Sequence, residues 1–264
     1  MHWSERRAAM NRIETKILNC FAVKEAEKNM VFAARLTQRG HIIHSMNDLV
    51  DLYNQSFTNE TLTNLGELPH PAIQKFTVIT LAVVGASRRF LSQITRHQNE
   101  VKFMSASLQY SNYSGEADFA IPYEIISAPS EIQALYLESC QEDMNCYDRL
   151  CKAGISHDAA GYATPQGLRN VLIISATPYQ WKHMIGQRCC RRNTDEMRIV
   201  MLMIWQDLYE LSPALFTPEQ TGPFCQKGKC LEGKMSCGHS IDHILLPNEI
   251  LQLDYPLLCR GDAV

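Results

Sequence analysis

The sequence predicts an α+β fold in which a mostly antiparallel sheet is flanked by helices. Apolar side chains recur at helical spacing in several segments, and in one of them, 195–211, Ile199, Met203 and Leu208 share one face. The run FTVITLAVV at 76–84 has instead the length and β-branched content of a strand. With 45% hydrophobic residues in a chain of 264, such elements can enclose a sizeable core.

Helical signals recur along the chain, and several begin at capping residues. Ser87 is placed to cap a helix that runs to residue 98, and Ser130 opens a capping box of the form S-x-x-Q. Thr177 followed by Pro178 combines a cap with proline at the first helical position. The predicted helices cover residues 23–38, 45–57, 87–98 and 130–152, a segment that starts at 177, and 195–211.

Strand-like patterns lie between these helices. The run at 76–84 is expected to break at Gly85, and the last of the strand-like patterns is interrupted at Pro122. The predicted strands cover residues 14–22, 76–84, 107–113 and 118–126. Residues 212–264 are rich in proline, glycine and cysteine, and we expect an irregular tail that packs on the same domain as residues 1–211.

Charge and composition exclude several classes of function. The formal net charge of −3 provides no general attraction for a nucleic acid polymer or an anionic membrane. No long uninterrupted apolar run is present, and the N-terminal stretch MHWSERRAAMNRIETK lacks the apolar core of a signal peptide. Ten cysteines are too sparse for a disulfide framework in a chain of 264 residues, so we expect reduced thiols and a cytoplasmic protein.

The stretch SRRFLSQITRHQ at 87–98 concentrates cationic side chains on one predicted helix. Arg89, Gln93 and either Arg96 or His97 are three or four residues apart and would share a face. A fork of donors on one face suits an anion such as phosphate, whereas the alternative is a solvated basic surface. Hydroxyl groups cluster just beyond this helix, at Ser105, Ser107, Tyr110, Ser111 and Ser114.

The same stretch carries a family resemblance. It resembles the signature G-x-S-R-x-x-x-x-Q-x-x-R-H of flavin-dependent thymidylate synthases, which is followed by a serine, here Ser107. Downstream, KAGISHDAAGYATP is similar to K-A-G-x-x-x-D-x-A-R-x-x-x-P, and QRCCRRNTDEMR resembles R-x-x-x-x-A-Q-x-E-I-R. The tail GPFCQKGKCLEGKMSCG is similar to a C-terminal segment of many members, so the likeness extends from about Lys16 to Gly238.

The resemblance implies an enzyme that methylates C5 of deoxyuridine monophosphate (dUMP) or a related pyrimidine nucleotide. Methylenetetrahydrofolate would give the carbon, reduced FAD the hydride, and NADPH would serve as a further co-substrate. The family also implies a homotetramer with FAD sites between subunits, and no cysteine that attacks the pyrimidine. FAD supplies the difficult chemistry in such a scheme, and the protein supplies orientation and electrostatics.

The resemblance also implies which residues form the site. Arg188 is the expected catalytic residue, facing the uracil carbonyls and stabilising enolate-like charge as C5 becomes nucleophilic. The implied substrate-binding residues are Gln93, Arg96, Ser105, Ser107, Gln109 and Arg188. The implied cofactor-binding residues are Arg96, His97, Gln98, Tyr179 and His183.

Several positions depart from the family pattern. The substrate-binding arginine of D-x-A-R falls on Gly161, and the arginine of S-x-R-Y falls on Gln109. The second arginine of R-H-R is Gln98, and the E-H pair upstream of the strand falls on Lys75 and Phe76. These losses leave two alternatives open: a relative that modifies another pyrimidine nucleotide, for example by hydroxymethyl transfer, or a flavin- or nucleotide-binding protein without catalysis.

Cysteine clusters suggest two further readings. Cys225, Cys230, Cys237 and His239 offer ligand types that suit zinc, but their spacing matches no recognised finger, and we expect a loop with reduced thiols and no metal. Cys189 and Cys190 stand beside Arg188, where a lowered thiol pKa would favour a nucleophile. Burial without chemistry is the commoner fate of cysteine.

Overall fold

A computed structural model describes residues 13–115, 117–227, 230–239 and 244–259. Its sheet has four antiparallel strands in the order β1-β2-β4-β3. The strands are β1 (Glu14–Ile17), β2 (Ile79–Ser87), β3 (Val101–Ser105) and β4 (Arg169–Ala176). The predicted α+β class and its antiparallel sheet are confirmed.

Twelve α-helical segments accompany the sheet in the described residues. Before β3 these are α1 (Cys20–Arg39), α2 (Met46–Asn54), α3 (Asn59–Glu67) and α4 (Arg88–Ile94). Between β3 and β4 they are α5 (Tyr123–Ile126), α6 (Ser130–Lys152) and α7 (His157–Ala160). After β4 they are α8 (Pro178–Arg188), α9 (Asp195–Leu211), α10 (Pro218–Thr221), α11 (Pro247–Asp254) and α12 (Pro256–Cys259).

The main core lies between the sheet and its long helices. Leu81 and Ile174 from the central strands are buried together with Met30 of α1 and with Trp181 and Trp205 of α8 and α9. Each tryptophan also donates its indole N–H to a backbone carbonyl, so burial leaves no polar group unpaired on either ring. The main core therefore fixes α8 and α9 against the sheet, and Arg188 ends the first of these helices.

Three predicted starts and ends of helices are confirmed. Ser87 accepts a hydrogen bond from the amide of Phe90, Thr177 accepts one from Gln180, and α9 spans Asp195–Leu211 as predicted. The capping box at Ser130 is wrong, because Ser130 is already inside α6 and the helix begins after Pro129 with no side-chain cap.

The helix that begins at Ser87 is shorter than predicted. It ends at Ile94, so Arg96, His97 and Gln98 lie in a turn and do not continue a helical face. Thr95 closes the helix by donating its hydroxyl to the carbonyl of Leu91, and the chain then turns toward β3. The shared basic face predicted from helical spacing is therefore wrong.

The strand predictions are partly wrong. β2 continues through Gly85, where a positive φ of 87° and a register shift allow the strand to reach Ser87. Residues 107–113 form no strand, because the Ser107 hydroxyl accepts backbone hydrogen bonds from the turn that follows it. The pattern at 118–126 is reduced to an isolated bridge at Phe119 and the short helix α5.

Several elements were not predicted at all, among them β3, β4 and α3. β4, RNVLIISA, is the central partner of both β2 and β3, and α3 begins with Thr58 as its cap. The first predicted strand also ends early, since β1 stops at Ile17 and α1 begins at Cys20. Residues 14–22 thus contain a strand, a turn and the first residues of a helix.

The last part of the chain is more ordered than the predicted irregular tail. Tyr255, which follows α11, donates its hydroxyl to Asp195 and accepts from Arg198, and Arg198 pairs with Asp254 at 2.6 Å. Ile250 joins the main core, so this tail is fastened to α9 by both apolar and charged contacts. The N-terminal residues 1–12, used above against a signal peptide, lie outside the described residues. None of the described helices is long and apolar enough to cross a membrane.

Candidate active site

Arg188 is the centre of a hydrogen-bonded cluster between α4, α8 and the turn before α9. Its Nε donates to Nε2 of His97 at 2.7 Å, and its two terminal nitrogens donate to Oδ1 of Asn193 at 3.2 Å and to the carbonyl of Gln93 at 3.1 Å. A guanidinium carries five N–H groups, and these contacts use three. We call these four residues the Arg188 cluster; within it the guanidinium has a single orientation.

His97 is held neutral in this cluster. Arginine only donates, so the Nε2 atom that accepts from Arg188 is unprotonated and the neutral ring carries its hydrogen on Nδ1. Burial, and then the positive charges of Arg188 and His183, lower the pKa of His97 to about 4. His97 is only 8% exposed. Because the pKa is lowered, the ring is uncharged at neutral pH and still carries one N–H donor.

Neighbouring groups fix the cluster and adjust its charge. Gln93 accepts a hydrogen bond from the Thr194 hydroxyl through Oε1, at 3.1 Å. Burial, together with the charge of Arg96, lowers the pKa of Arg188, which nevertheless stays a cation because the ordinary value is so high. The predicted residues Gln93, Arg96, His97 and Arg188 are thus brought together.

The start of α4 is anchored by a buried carboxylate. Glu196 of α9 accepts from the backbone amide of Ser87 at 2.7 Å and from the Ser87 hydroxyl at 2.5 Å. Burial raises the pKa of Glu196, while the two hydrogen bonds from Ser87 oppose that shift. This contact ties the helix that carries Gln93 to α9, whose preceding turn carries Asn193 and Thr194.

A cavity of about 630 Å³ opens beside the cluster. Its wall on α8 includes Tyr179, Lys182 and His183, and the rest is formed by residues between 66 and 74, by Glu219 and Gln220, and by Phe224. The His183 ring lies 6.2 Å from the His97 ring and 5.9 Å from that of Phe224, measured between centroids. Its size is in the range of small-molecule sites, and its aromatic lining suits a flat ring.

Lys182 is a feature of this cavity that sequence reasoning missed. The side chain is buried, and its Nζ atom donates to Oε1 of Gln220 at 2.9 Å. Lys75, at the position of the family's E-H pair, forms an ion pair with Glu100 at 2.8 Å and lies over the Tyr179 ring. The only sequence signal for Lys182 is a charged residue on the α8 face that also carries Tyr179 and His183.

The segment from Ser105 to Gln109, called the serine segment below, begins at the last residue of β3. Ser105 pairs with Leu172 at the end of β3, and the Ser107 hydroxyl accepts from the amides of Gln109 and Tyr110. Among the hydrogen bonds of the described residues, none joins Ser105, Ser107 or Gln109 to Arg188 or His97. Gln98 is exposed and also lies outside the cluster's hydrogen bonds.

Gly161 and Gln109, two positions that depart from the family pattern, are both neighbours of Leu108 in that segment. A Cβ atom added at Gly161 would lie 3.3 Å from the Cβ atom of Leu108, the residue between Ser107 and Gln109. Leu108 therefore packs closely over the backbone where the pattern has a substrate-binding arginine. Neither Gly161 nor Gln109 supplies the positive charge of the pattern at its own position.

The cysteines next to the cluster form no metal site in the described part of the chain. Cys225, Cys230, Cys237 and His239 line a cavity of about 30 Å³, but no three described His, Cys, Asp or Glu side chains are placed to hold an ion. Cys189 is 1% exposed, and burial raises the pKa of its thiol. The lowered thiol pKa considered for Cys189 is therefore wrong, because desolvation outweighs the nearby arginines.

Comparison with known proteins identifies the family. The family model described as thymidylate synthase complementing protein, Thy1, matches residues 19–214, which include β2, β3 and β4, the Arg188 cluster and the serine segment. The chain belongs to this family.

Individual relatives are distant. A flavin-dependent thymidylate synthase of Geobacter sulfurreducens is 22% identical over 218 residues, covering 83% of this chain and 91% of that protein. One from Thermococcus onnurineus is 27% identical over 175 residues, with coverages of 63% and 69%. A crystal structure of the UMP/dUMP methylase PolB from Streptomyces cacaoi, bound with 5-Br dUMP, superposes with a TM-score of 0.63 at 16% identity, covering 78% of this chain and 93% of that one. The family model therefore shows membership of the Thy1 family even though the identity to individual relatives is low. The similarity to the solved structure shows that the fold is shared.

Proposed function

We propose that this protein is a flavin-dependent thymidylate synthase that methylates dUMP at C5. The observation that carries the proposal is the Arg188 cluster, in which a cation is held beside a neutral histidine and two of its N–H groups have no hydrogen-bond partner among the described residues. Family membership and the nucleotide ligand of the structurally similar methylase point the same way. In this proposal residues 1–211 are the catalytic domain and residues 212–264 pack on it.

Arg188 is the catalytic residue in this scheme. Its remaining N–H groups donate to the uracil carbonyls, where negative charge builds up as C5 becomes nucleophilic and C6 takes hydride. A fixed cation lowers that barrier most when it needs no reorientation, and the three protein contacts of Arg188 provide this fixed position. Gln93 and Arg96 lie beside it and bind the nucleotide.

The residues around the large cavity fit a flavin. His97 offers an Nδ1–H donor to a ring acceptor, and Tyr179, His183 and Phe224 present ring faces and edges for a flat heterocycle. FAD, when bound, supplies hydride chemistry, while methylenetetrahydrofolate is the carbon donor and NADPH the reductant. The neutral state of His97 keeps a further positive charge away from the ring.

We propose a homotetramer whose sites lie between subunits. Among the described residues of one chain, no hydrogen bond joins the Arg188 cluster to Ser105, Ser107 or Gln109, yet the resemblance assigns both regions to substrate. A second copy that brings its serine segment to the Arg188 cluster satisfies both assignments.

The experiment is a flavin spectrum followed by a tritium-release assay. We expect the purified protein to be yellow with non-covalent FAD, to elute as a tetramer, and to release tritium from C5-labelled dUMP when methylenetetrahydrofolate and NADPH are present. A colourless monomer that takes up no added FAD would contradict the proposal, as would a flavoprotein that leaves the label in dUMP.

Gly161, Leu108 and Gln109 favour a second candidate, methylation or hydroxymethylation of another pyrimidine nucleotide such as UMP. The missing arginines change the charge available to the substrate phosphate or base, and Leu108 fills space beside Gly161. Parallel assays with labelled UMP and dUMP discriminate the two candidates, since the true substrate has the larger kcat/KM. Flavin and nucleotide binding without turnover on either would favour a non-catalytic binding protein.

A further inference from the structure

Asn193 is the member of the Arg188 cluster that lies in the turn between α8 and α9. It contacts both Arg188 and the end of α8. Its Oδ1 atom accepts from Arg188, and its Nδ2 atom donates to the carbonyl of Gln187 at 3.0 Å and to that of Cys190 at 3.3 Å. Its backbone amide also donates to the Cys190 carbonyl. All hydrogen-bonding atoms of this side chain are therefore directed by the protein.

The chemistry of these partners permits one orientation of the amide. A guanidinium has no acceptor and a backbone carbonyl has no donor, so a flipped Asn193 side chain would face Arg188 with its NH₂ and the carbonyls of Gln187 and Cys190 with its oxygen. That arrangement would lose all three hydrogen bonds. The oxygen directed at Arg188 is thus fixed by the end of α8.

We propose that Asn193 is a positioning residue that fixes the Arg188 guanidinium for the reacting pyrimidine. The inference rests on the proposed function of Arg188, but the contact itself is independent of substrate. Asn193 sets one terminal nitrogen of Arg188 while the Gln93 carbonyl sets the other, so together with His97 they hold the plane of the guanidinium. Asn193 stands where the family pattern R-x-x-x-x-A-Q has alanine, so this contact is a property of this chain.

Two substitutions separate positioning from support of the turn. Asn193→Ala and Asn193→Asp both lose the amide donor to the Gln187 and Cys190 carbonyls, but only the aspartate keeps an oxygen that can accept from Arg188. We expect kcat to fall about tenfold in Asn193→Ala and to stay within about threefold of wild type in Asn193→Asp. FAD binding and the KM for dUMP change less than kcat in both. Asn145→Ala, at an exposed position of α6, is the matched control and should keep wild-type kinetics.

A second readout needs no turnover. In protein labelled with ¹⁵N histidine, the His97 signal, identified by its loss in His97→Asn, should report the Nδ1–H tautomer in wild type and Asn193→Asp. Asn193→Ala should show a mixture of tautomers, because a freer Arg188 no longer occupies Nε2 throughout. Equal kcat in the alanine and aspartate variants, or an unchanged tautomer in Asn193→Ala, overturns the proposal. If wild type is inactive on every pyrimidine nucleotide, the proposed function fails while the tautomer result still decides whether Asn193 positions Arg188.

Discussion

The Arg188 cluster and the segment from Ser105 to Gln109 are both assigned to substrate by family resemblance, yet they differ in construction. In the cluster every hydrogen-bonding partner is a protein group on a helix or the turn that follows one, and the cation is fixed in place. In the serine segment the hydroxyl of Ser107 is used by its own turn, and Leu108 packs against Gly161. The first region is organised within one chain, whereas the second lacks the charges of the pattern.

Under the proposed function, this difference assigns the chemistry of the reaction to the cluster and the specificity for the nucleotide to the serine segment. The cluster keeps the residues needed to stabilise charge on a pyrimidine, and so supports the family's reaction type. Gln109 in the serine segment and Gly161, which packs against Leu108, stand where the family pattern has arginines, so the proposed function implies altered binding of the nucleotide at this region. Substitutions in the two regions should therefore affect different kinetic constants.

The largest effect is expected at Arg188. Arg188→Ala removes the cation that faces developing negative charge, so we expect kcat to fall by about a hundredfold or more while FAD binding stays near wild type. Steady-state kinetics and the flavin spectrum of the same preparation check this. Wild-type turnover in the variant would show that Arg188 is not catalytic. The cluster would then no longer be the region to which the chemistry is assigned.

Ser87→Ala tests how much the contact between Ser87 and Glu196, which anchors the start of α4, contributes to stability. The change removes the cap of α4 and one of the two hydrogen bonds to Glu196, so we expect a loss of about 2 to 3 kcal/mol in the free energy of unfolding. Thr58→Ala, which removes an exposed cap from α3, is the matched control and should cost about 1 kcal/mol. Urea unfolding of both variants measures the difference, and equal losses would mean that the hydrogen bond from the Ser87 hydroxyl to Glu196 contributes nothing.

Restoring the pattern's arginines tests the serine segment. Gln109 is exposed, so Gln109→Arg adds a cation without steric cost, and dUMP should bind about ten to a hundred times more tightly if the position faces the nucleotide. Gly161→Arg should give a smaller gain, because Leu108 must first move by a few tenths of an ångström. Calorimetric titration of FAD-loaded protein measures both, with Gln141→Arg on α6 as the charge control. Loss of binding in both variants would show that these positions do not align with the substrate arginines.

The last test follows the titration of His97 with pH. Its pKa of about 4 in the folded protein is below the ordinary value of about 6.5, so the ring resists protonation and its contribution to stability is present above pH 6.5. That contribution declines as the pH falls from about 6.5 through 4, and His97→Asn should flatten the decline. Histidine NMR signals followed with pH measure the pKa directly. A His97 signal that titrates near 6.5 would contradict the contact with Arg188.

Local sequence signals predicted the elements whose ends are set by neighbouring residues. Ser87 and Thr177 were identified because a hydroxyl before a helical run satisfies free amides, and α9 because its apolar residues repeat with the helical period. Ser107–Tyr113 was misread because alternation of polar and larger side chains is typical of a strand, whereas the Ser107 hydroxyl stabilises a turn. β4 was missed although its partners β2 and β3 depend on it.

The site was predictable in its residue types but not in its contacts. Gln93, His97 and Arg188 were identified through the family pattern, but the hydrogen bond between His97 and Arg188 spans 91 residues and has no local signal. Asn193 was missed because its role depends on a turn that brings one amide to two carbonyls and a guanidinium. The turn that contains Arg96 was also not predicted, because the predicted helix ran to residue 98 whereas α4 ends at Ile94.

The most direct measurement is detection of the methylated nucleotide itself. FAD-loaded protein is incubated with dUMP, NADPH and methylenetetrahydrofolate, and the nucleotides are separated and identified by mass spectrometry, with Arg188→Ala and a folate-free reaction run in parallel. We predict thymidylate from the wild-type protein only when folate is present, and at least about a hundredfold less from Arg188→Ala. Unchanged dUMP in the complete reaction, with FAD bound, would contradict the assignment of the Arg188 cluster to thymidylate synthesis.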